Sequence, residues 1–185
     1  MSFLINPFAF AVAGDGDFES IATVTVGSGG ASSIEFTSIG TDWQHLQLRT
    51  LLRTSRGVSG DVVIIQANGD TGNNYRMHRL TGNGSTAGAG SSVYNGAYII
   101  YCPSTTDTAS VFGASIVDVL DYASSTKTST FRSFTGFDTN SAGELWLASD
   151  LWTSTSAITS LKLVSKFGTG FVQHSTAALF GVKAP

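Results

Sequence analysis

Apolar residues recur along this chain at every second position in short runs, and clusters of Gly, Ser, Asn and Asp cut the runs apart. A period of two is that of a pleated strand with one buried face, and the interrupting residues are those that close turns, so the pattern predicts strand following strand. Eleven segments carry it: Phe18 to Val26, Ser33 to Ile39, Gln44 to Arg53, Asp61 to Ala67, Tyr75 to Leu80, Val93 to Cys102, Val111 to Asp121, Ser129 to Asp138, Glu144 to Trp152, Ile158 to Ser165 and Thr176 to Val182. The alternation is cleanest where Leu46, Leu48, Thr50 and Leu52 oppose Gln47, Arg49, Leu51 and Arg53, one side apolar and the other largely wet. Asp61 to Gln66 and Tyr98 to Tyr101 do not alternate, which predicts strands covered on both faces or lying at a subunit contact. Ser115 to Asp121 also fits a helical period, but its β-branched residues favour a strand.

Many short strands with no helices between them leave a sandwich, a jelly roll or a closed barrel. The reading adopted is all-β: a jelly-roll-like antiparallel β-sandwich over residues 18–185, preceded by an extended apolar N-terminal arm over residues 1–17. Thr81 to Ser92 is poor in side chains that could build a core and is expected to be a mobile surface loop.

Composition narrows the classes. At 185 residues and 42% hydrophobic content the chain is long enough for one substantial core, and Ser, Thr and Gly together exceed a third of it. The net charge of −3 offers no electrostatic footprint for nucleic acid. Arg49, Arg53 and Arg56, with Arg76 and Arg79 further on, read as a solvated face rather than a binding stripe. Cys102 is the only cysteine, so no intramolecular disulfide can form, and a packed core thiol is the expectation. No apolar run approaches the ~18 residues of a membrane helix. The apolar start lacks a leading basic residue and is broken by Asn6-Pro7, so a secretion signal is not expected.

The search for chemistry finds little. His45, His78 and His174 stand apart without zinc-site spacing, and Gly27 to Gly30 follows a strand without opening a helix, which a phosphate cradle requires. Asp15-Gly-Asp17 with Glu19, and Asn68 to Asn74, carry the oxygens of a calcium loop, but both read better as turns. No catalytic set, metal or cofactor is therefore expected. Trp43, Trp146 and Trp152 are candidates for surface recognition of a glycan, since a sugar platform on a sandwich uses outward aromatic rings. For Trp146, opposite Leu145 and Leu147 in the alternation, core or interface is the preferred reading.

The most unusual feature is the start. Phe3, Leu4, Ile5, Phe8 and Phe10 surround Pro7, and the three Phe rings alone represent ~11 to 19 kcal/mol of gross burial. Such a segment is expected to dock, within its own sandwich or on a neighbouring chain as an inter-subunit arm, and Asn6-Pro7 favours an extended entry.

With these residues laid out, the chain resembles a group of tailed-bacteriophage virion proteins frequent among phages of aquatic bacteria. The matching phrases run over nearly the whole length: Phe3 to Phe8, Ile21 to Ile34, Asn68 to Tyr75 with His78, Asp118 to Ala123, Leu151 to Thr159 and Phe171 to Thr176. The resemblance implies a structural particle component in the virion, with a β-sandwich fold and commonly a homotrimer; that it is not an enzyme is expected from the absence of catalytic motifs. A capsid decoration or cement protein, bound to the major capsid protein, leads. A tail or fibre-tip protein for adsorption to a host glycan is the alternative; no long repetitive shaft is present to favour it.

Overall fold

Where the sequence alternates, one face of each strand is buried. In β3 (His45–Leu52), Leu46, Leu48, Thr50 and Leu52 turn inward while Arg49 and Leu51 are exposed. The computed structural model describes residues 16–139 and 142–183. Ahead of β3 lie β1 (Phe18–Thr25) and β2 (Ser33–Phe36). After it come β4 (Asp61–Ala67), β5 (Tyr75–Gly82), β6 (Ala87–Tyr94), β7 (Ala97–Cys102) and β8 (Gly113–Leu120). The chain ends in β9 (Thr130–Asp138), β10 (Gly143–Trp152), β11 (Leu161–Ser165) and β12 (Thr176–Val182).

Every ladder between these strands is antiparallel, and they form two sheets. The large sheet has eight strands in the order β1-β12-β3-β8-β9-β10-β5-β6, and the small one four, β2-β11-β4-β7. The fold is thus an all-β sandwich, as the periodicity predicts, divided eight and four. Ser115 to Leu120 is strand, within β8. The arm residues Phe3, Leu4, Ile5, Pro7, Phe8 and Phe10 lie outside the described residues.

The two non-alternating runs are buried on both faces within the chain itself. All of β4 is buried, and so is nearly all of β7. One face of β7 stacks Tyr98 and Tyr101 on Trp146 of β10, while Cys102 packs against Gly113 of β8. The large sheet covers the small one from two sides, so a polar alternation would have no water to face. Cys102 is fully buried, and desolvation raises its thiol pKa well above the ordinary value, which makes it an inert packing group.

Burying β7 leaves its outer backbone edge facing protein rather than solvent, and side chains of the large sheet supply the missing partners. The Tyr98 amide donates to Asp150 Oδ2 at 3.0 Å, and Ser133 Oγ donates to the Ile99 carbonyl. Thr135 Oγ1 donates to the Tyr101 carbonyl at 3.0 Å and accepts from its amide at 3.2 Å. These buried polar residues on β9 and β10 therefore stand in for a neighbouring strand.

Two expectations need correction. Thr81 to Ser92 is not a loop: β5 and β6 form a regular hairpin through eight residue pairs, and Gly84 in its tight turn has φ +86°. Backbone ladder bonds hold β6, whose Gly, Ala and Ser residues give no periodic signal. Val93 to Cys102 is accordingly two strands, broken at Asn95-Gly96 where the chain passes between sheets. Arg53, expected on a solvated face, is buried just past the end of β3. Its guanidinium donates to the carbonyls of Asp107, Thr108 and Val111, tying down that loop.

The Asn68 turn is as expected. Asn68 and Gly69 have φ of 51° and 71°, and the Asp70 amide closes the turn on the Ala67 carbonyl at 2.9 Å. Gly69→Ala is expected to cost about 1–2 kcal/mol, the usual penalty for a Cβ in the left-handed region, measurable by denaturant unfolding. The loop's oxygens are taken up internally: Asp70 accepts from Gly72, Asn74 and Trp152, and Asn68 Oδ1 from the Thr159 and Ser160 amides. Burial pushes the Asp70 pKa up, but those hydrogen bonds outweigh it and hold the group below its ordinary value.

Candidate functional site

The inward turn of one face of the large sheet fixes what the other presents. Reading across the register, Arg49 of β3 lies beside Ile116 of β8, then Phe134 of β9, Leu147 of β10, Leu80 of β5 and Ala89 of β6. The next row is Leu51, Ala114, Gly136, Leu145, Gly82 and Ala87. Ile116, Phe134, Leu147, Leu80, Leu51 and Leu145 are between 44% and 59% exposed. Half the surface of six such side chains is on the order of 500 Å², near the upper limit for a patch on a monomer and not far below the ~800 Å² that each partner gives to a standard interface.

The patch has relief. Around Ala114 and Gly136 the walls are Leu51, Ile116, Phe134 and Leu145, enclosing a hollow of about 580 Å³. Gly136 keeps this floor low, because a Cβ there would lie 2.5 Å from the Glu144 carbonyl oxygen. A second hollow of about 770 Å³ lies between Leu147, Leu80, Ala89, His78 and Arg132. A polar row borders it: Gln47, Asp118, Arg132, Ser149, His78 and Ser91, with Gln47 donating to Asp118 at 2.9 Å. Toward β1 the face is closed by Arg49, whose guanidinium stands 5.1 Å from the Phe18 ring and 5.4 Å from that of Phe180. An apolar stripe with a polar border is the anatomy of a protein-binding surface.

The tryptophans are elsewhere. Trp146 and Trp152 are on the inner face at 4% and 3% exposure, so neither presents its ring to solvent as a sugar platform would require. Trp146 Nε1 donates to Glu144, and Trp152 Nε1 to Asp70 Oδ2 at 2.8 Å. Trp43 is half-buried with its indole against Gly181, where no side chain would fit, and Lys183 Nζ lies 5.4 Å from the ring. The outer face is hidden in the sequence because Leu145 and Leu147 look like core; its signal is the large indole on the opposite side of the same strand.

Ionisable groups converge less. Among the described residues no cluster of three or more His, Cys, Asp or Glu side chains could hold a metal. His45 Nδ1 accepts from the Asp121 amide at 3.0 Å, while His78 stands on the outer face. Asp107 accepts from the Ser59 hydroxyl and from the Gly60 and Ser104 amides; burial raises its pKa, yet these bonds bring it below the ordinary value. It is a loop clamp. The chain, then, is an all-β sandwich whose prominent surface feature is apolar. Compared with known proteins, it matches no family model, no curated protein and no solved structure.

Proposed function

We propose that this chain is a structural component of a phage virion, a capsid decoration protein that acts by assembly and attaches through the outer face of its large sheet. The observation that carries the reading is the exposed row Ile116, Phe134, Leu147 and Leu80, too apolar and too continuous for a surface whose only partner is water. The phage setting comes from the resemblance over Phe3 to Thr176, and so does the trimer. Attachment over a wide, flat surface would let one small domain bridge shell subunits and resist outward pressure from the packaged genome. The host-adsorption alternative would draw on outward indole rings, and Trp146 and Trp152 face inward.

Binding to purified heads that lack the protein is the test. Saturable, stoichiometric binding is expected, whereas saturable binding to host cells with none to heads would overturn the proposal. The double variant Phe134→Ser, Leu147→Ser should keep its unfolding free energy within roughly 1 kcal/mol, as exposed positions generally do, and lose most of its head binding.

A further inference from the structure

We propose that the open edge of β6, with the apolar surface beside it, receives residues 3–10 of a neighbouring copy as an added strand, linking copies head to tail. This rests on the assembly reading above and names the contact. A free sheet edge is a row of unpaired backbone donors and acceptors, and proteins normally guard it with charge, proline, a bulge or a cover. The edge of β7 is covered by Ser133, Thr135 and Asp150. β1, the edge at the other end of the large sheet, carries Glu19 and a register irregularity between Ser20 and Ala22. Among the described residues β6 has none of these: Ala-Gly-Ala-Gly-Ser-Ser-Val-Tyr is uncharged, free of proline, and paired with β5 in unbroken register.

The hairpin turn tells which groups are open. The Asn83 amide bonds the Thr86 carbonyl at 3.2 Å, so that pair exchanges hydrogen bonds, and strict alternation makes Gly82 with Ala87, Leu80 with Ala89 and His78 with Ser91 non-bonded pairs. The amides and carbonyls of Ala87, Ala89 and Ser91 therefore point to the free edge. Their side chains are short and leave Leu80 59% exposed beyond them. An incoming strand with large apolar side chains would satisfy that backbone and lean across the small residues onto Leu80.

Residues 3–10 have the matching chemistry: Phe3, Leu4, Ile5, Phe8 and Phe10, with Asn6-Pro7 favouring an extended chain. Proline is tolerated on an outermost strand, where its missing donor faces solvent. The occupant comes from another copy because of where the described chain begins. Gly16 leads into β1, and β1 and β6 are opposite edges of the large sheet, seven interstrand steps or ~34 Å from one another along its surface. Along that surface a segment of the same copy would have to cross the intervening strands, with no ladder partner on the way. Donor and acceptor on opposite edges make a heterologous contact, whose repetition closes a ring or extends a row of copies.

The experiment uses full-length chains: a donor variant Phe3→Asp, Phe8→Asp and an acceptor variant Ala89→Pro, with Ala89→Lys as a second acceptor variant should proline perturb the hairpin. Sedimentation reads mass and circular dichroism confirms the fold. The wild type is expected to be oligomeric and each variant monomeric. Mixing donor and acceptor variants should give one-to-one pairs that grow no further, since one partner keeps a working edge and the other a working segment. Folded variants that retain the wild-type mass, or a mixture that stays monomeric, would overturn the inference while leaving head binding to be judged separately. A wild type monomeric at all concentrations but binding heads would sink only this contact; one that does neither would sink both readings.

Discussion

Trp146→Ala is expected to cost about 3–5 kcal/mol of folding stability, the range for removing a large buried aromatic side chain. The ring lies between Tyr101, 4.5 Å away and within 9° of parallel, and Tyr98 at 6.0 Å, with the Arg79 guanidinium 4.1 Å above it. It is the contact through which β10 grips β7. Deletion opens a cavity between the sheets and strips a partly desolvated cation of its aromatic partner. For a chain of this length the melting temperature should fall by roughly 6–20 °C. Trp146→Phe, which keeps a ring but loses the indole donor to Glu144, should lose clearly less. Denaturant unfolding measures both, and a loss below 1 kcal/mol in the alanine variant would contradict this account of the interface.

Stability should also fall as pH rises from about 4 to about 7, because of Asp150. Burial pushes its pKa from 3.8 up to about 7, against the opposing pull of the Tyr98 and Arg76 amides. One carboxylate oxygen accepts from the Tyr98 amide, and the other has no hydrogen-bond partner among the described residues. Below about pH 4 the group is protonated in both the folded and unfolded chains and adds no slope. Between the two pKa values the folded chain holds a proton that the unfolded chain has released, so each step upward in pH favours unfolding. Above about pH 7 the loss is complete; at ~1.4 kcal/mol per unit its ceiling is about 4 kcal/mol. Asp150→Asn keeps an acceptor for the Tyr98 amide and removes the titration. Unfolding free energies measured across this range should slope downward for the wild type and lose that slope in the variant. Parallel curves for the two proteins would show that Asp150 is not the source.

The strands were legible wherever burial falls on one face. Leu46, Leu48 and Leu52 announced β3, and the unbroken apolar run of β4 announced a strand with no wet side. Boundaries moved by up to three residues, as where β11 begins at Leu161 rather than Ile158. What the pattern could not reveal was held by other forces. β6 exists through backbone pairing and leaves no mark in side-chain polarity. Asp150, Ser133 and Thr135 look like outward positions because they are polar, yet they are buried to serve the edge of β7. The outer face was obscured for the converse reason: Leu145, Leu147 and Phe134 read as core in any scale that counts apolarity, and only parity with Trp146 places them outside. Cross-strand rows of this kind depend on register, which no local stretch of sequence contains.

The strand order also has a consequence for how the molecule is made. Among the described residues β1 has a sheet partner only in β12, and β2 only in β11, so both strands depend on residues 161–182. During synthesis β1 and β2 leave the ribosome with no strand to pair with until residues 161–182 have followed. β1 is secured last, by the closing of β12 between β1 and β3. A nascent or C-terminally truncated chain therefore lacks β11 and β12, and with them the pairing that holds β1 and β2 in their sheets.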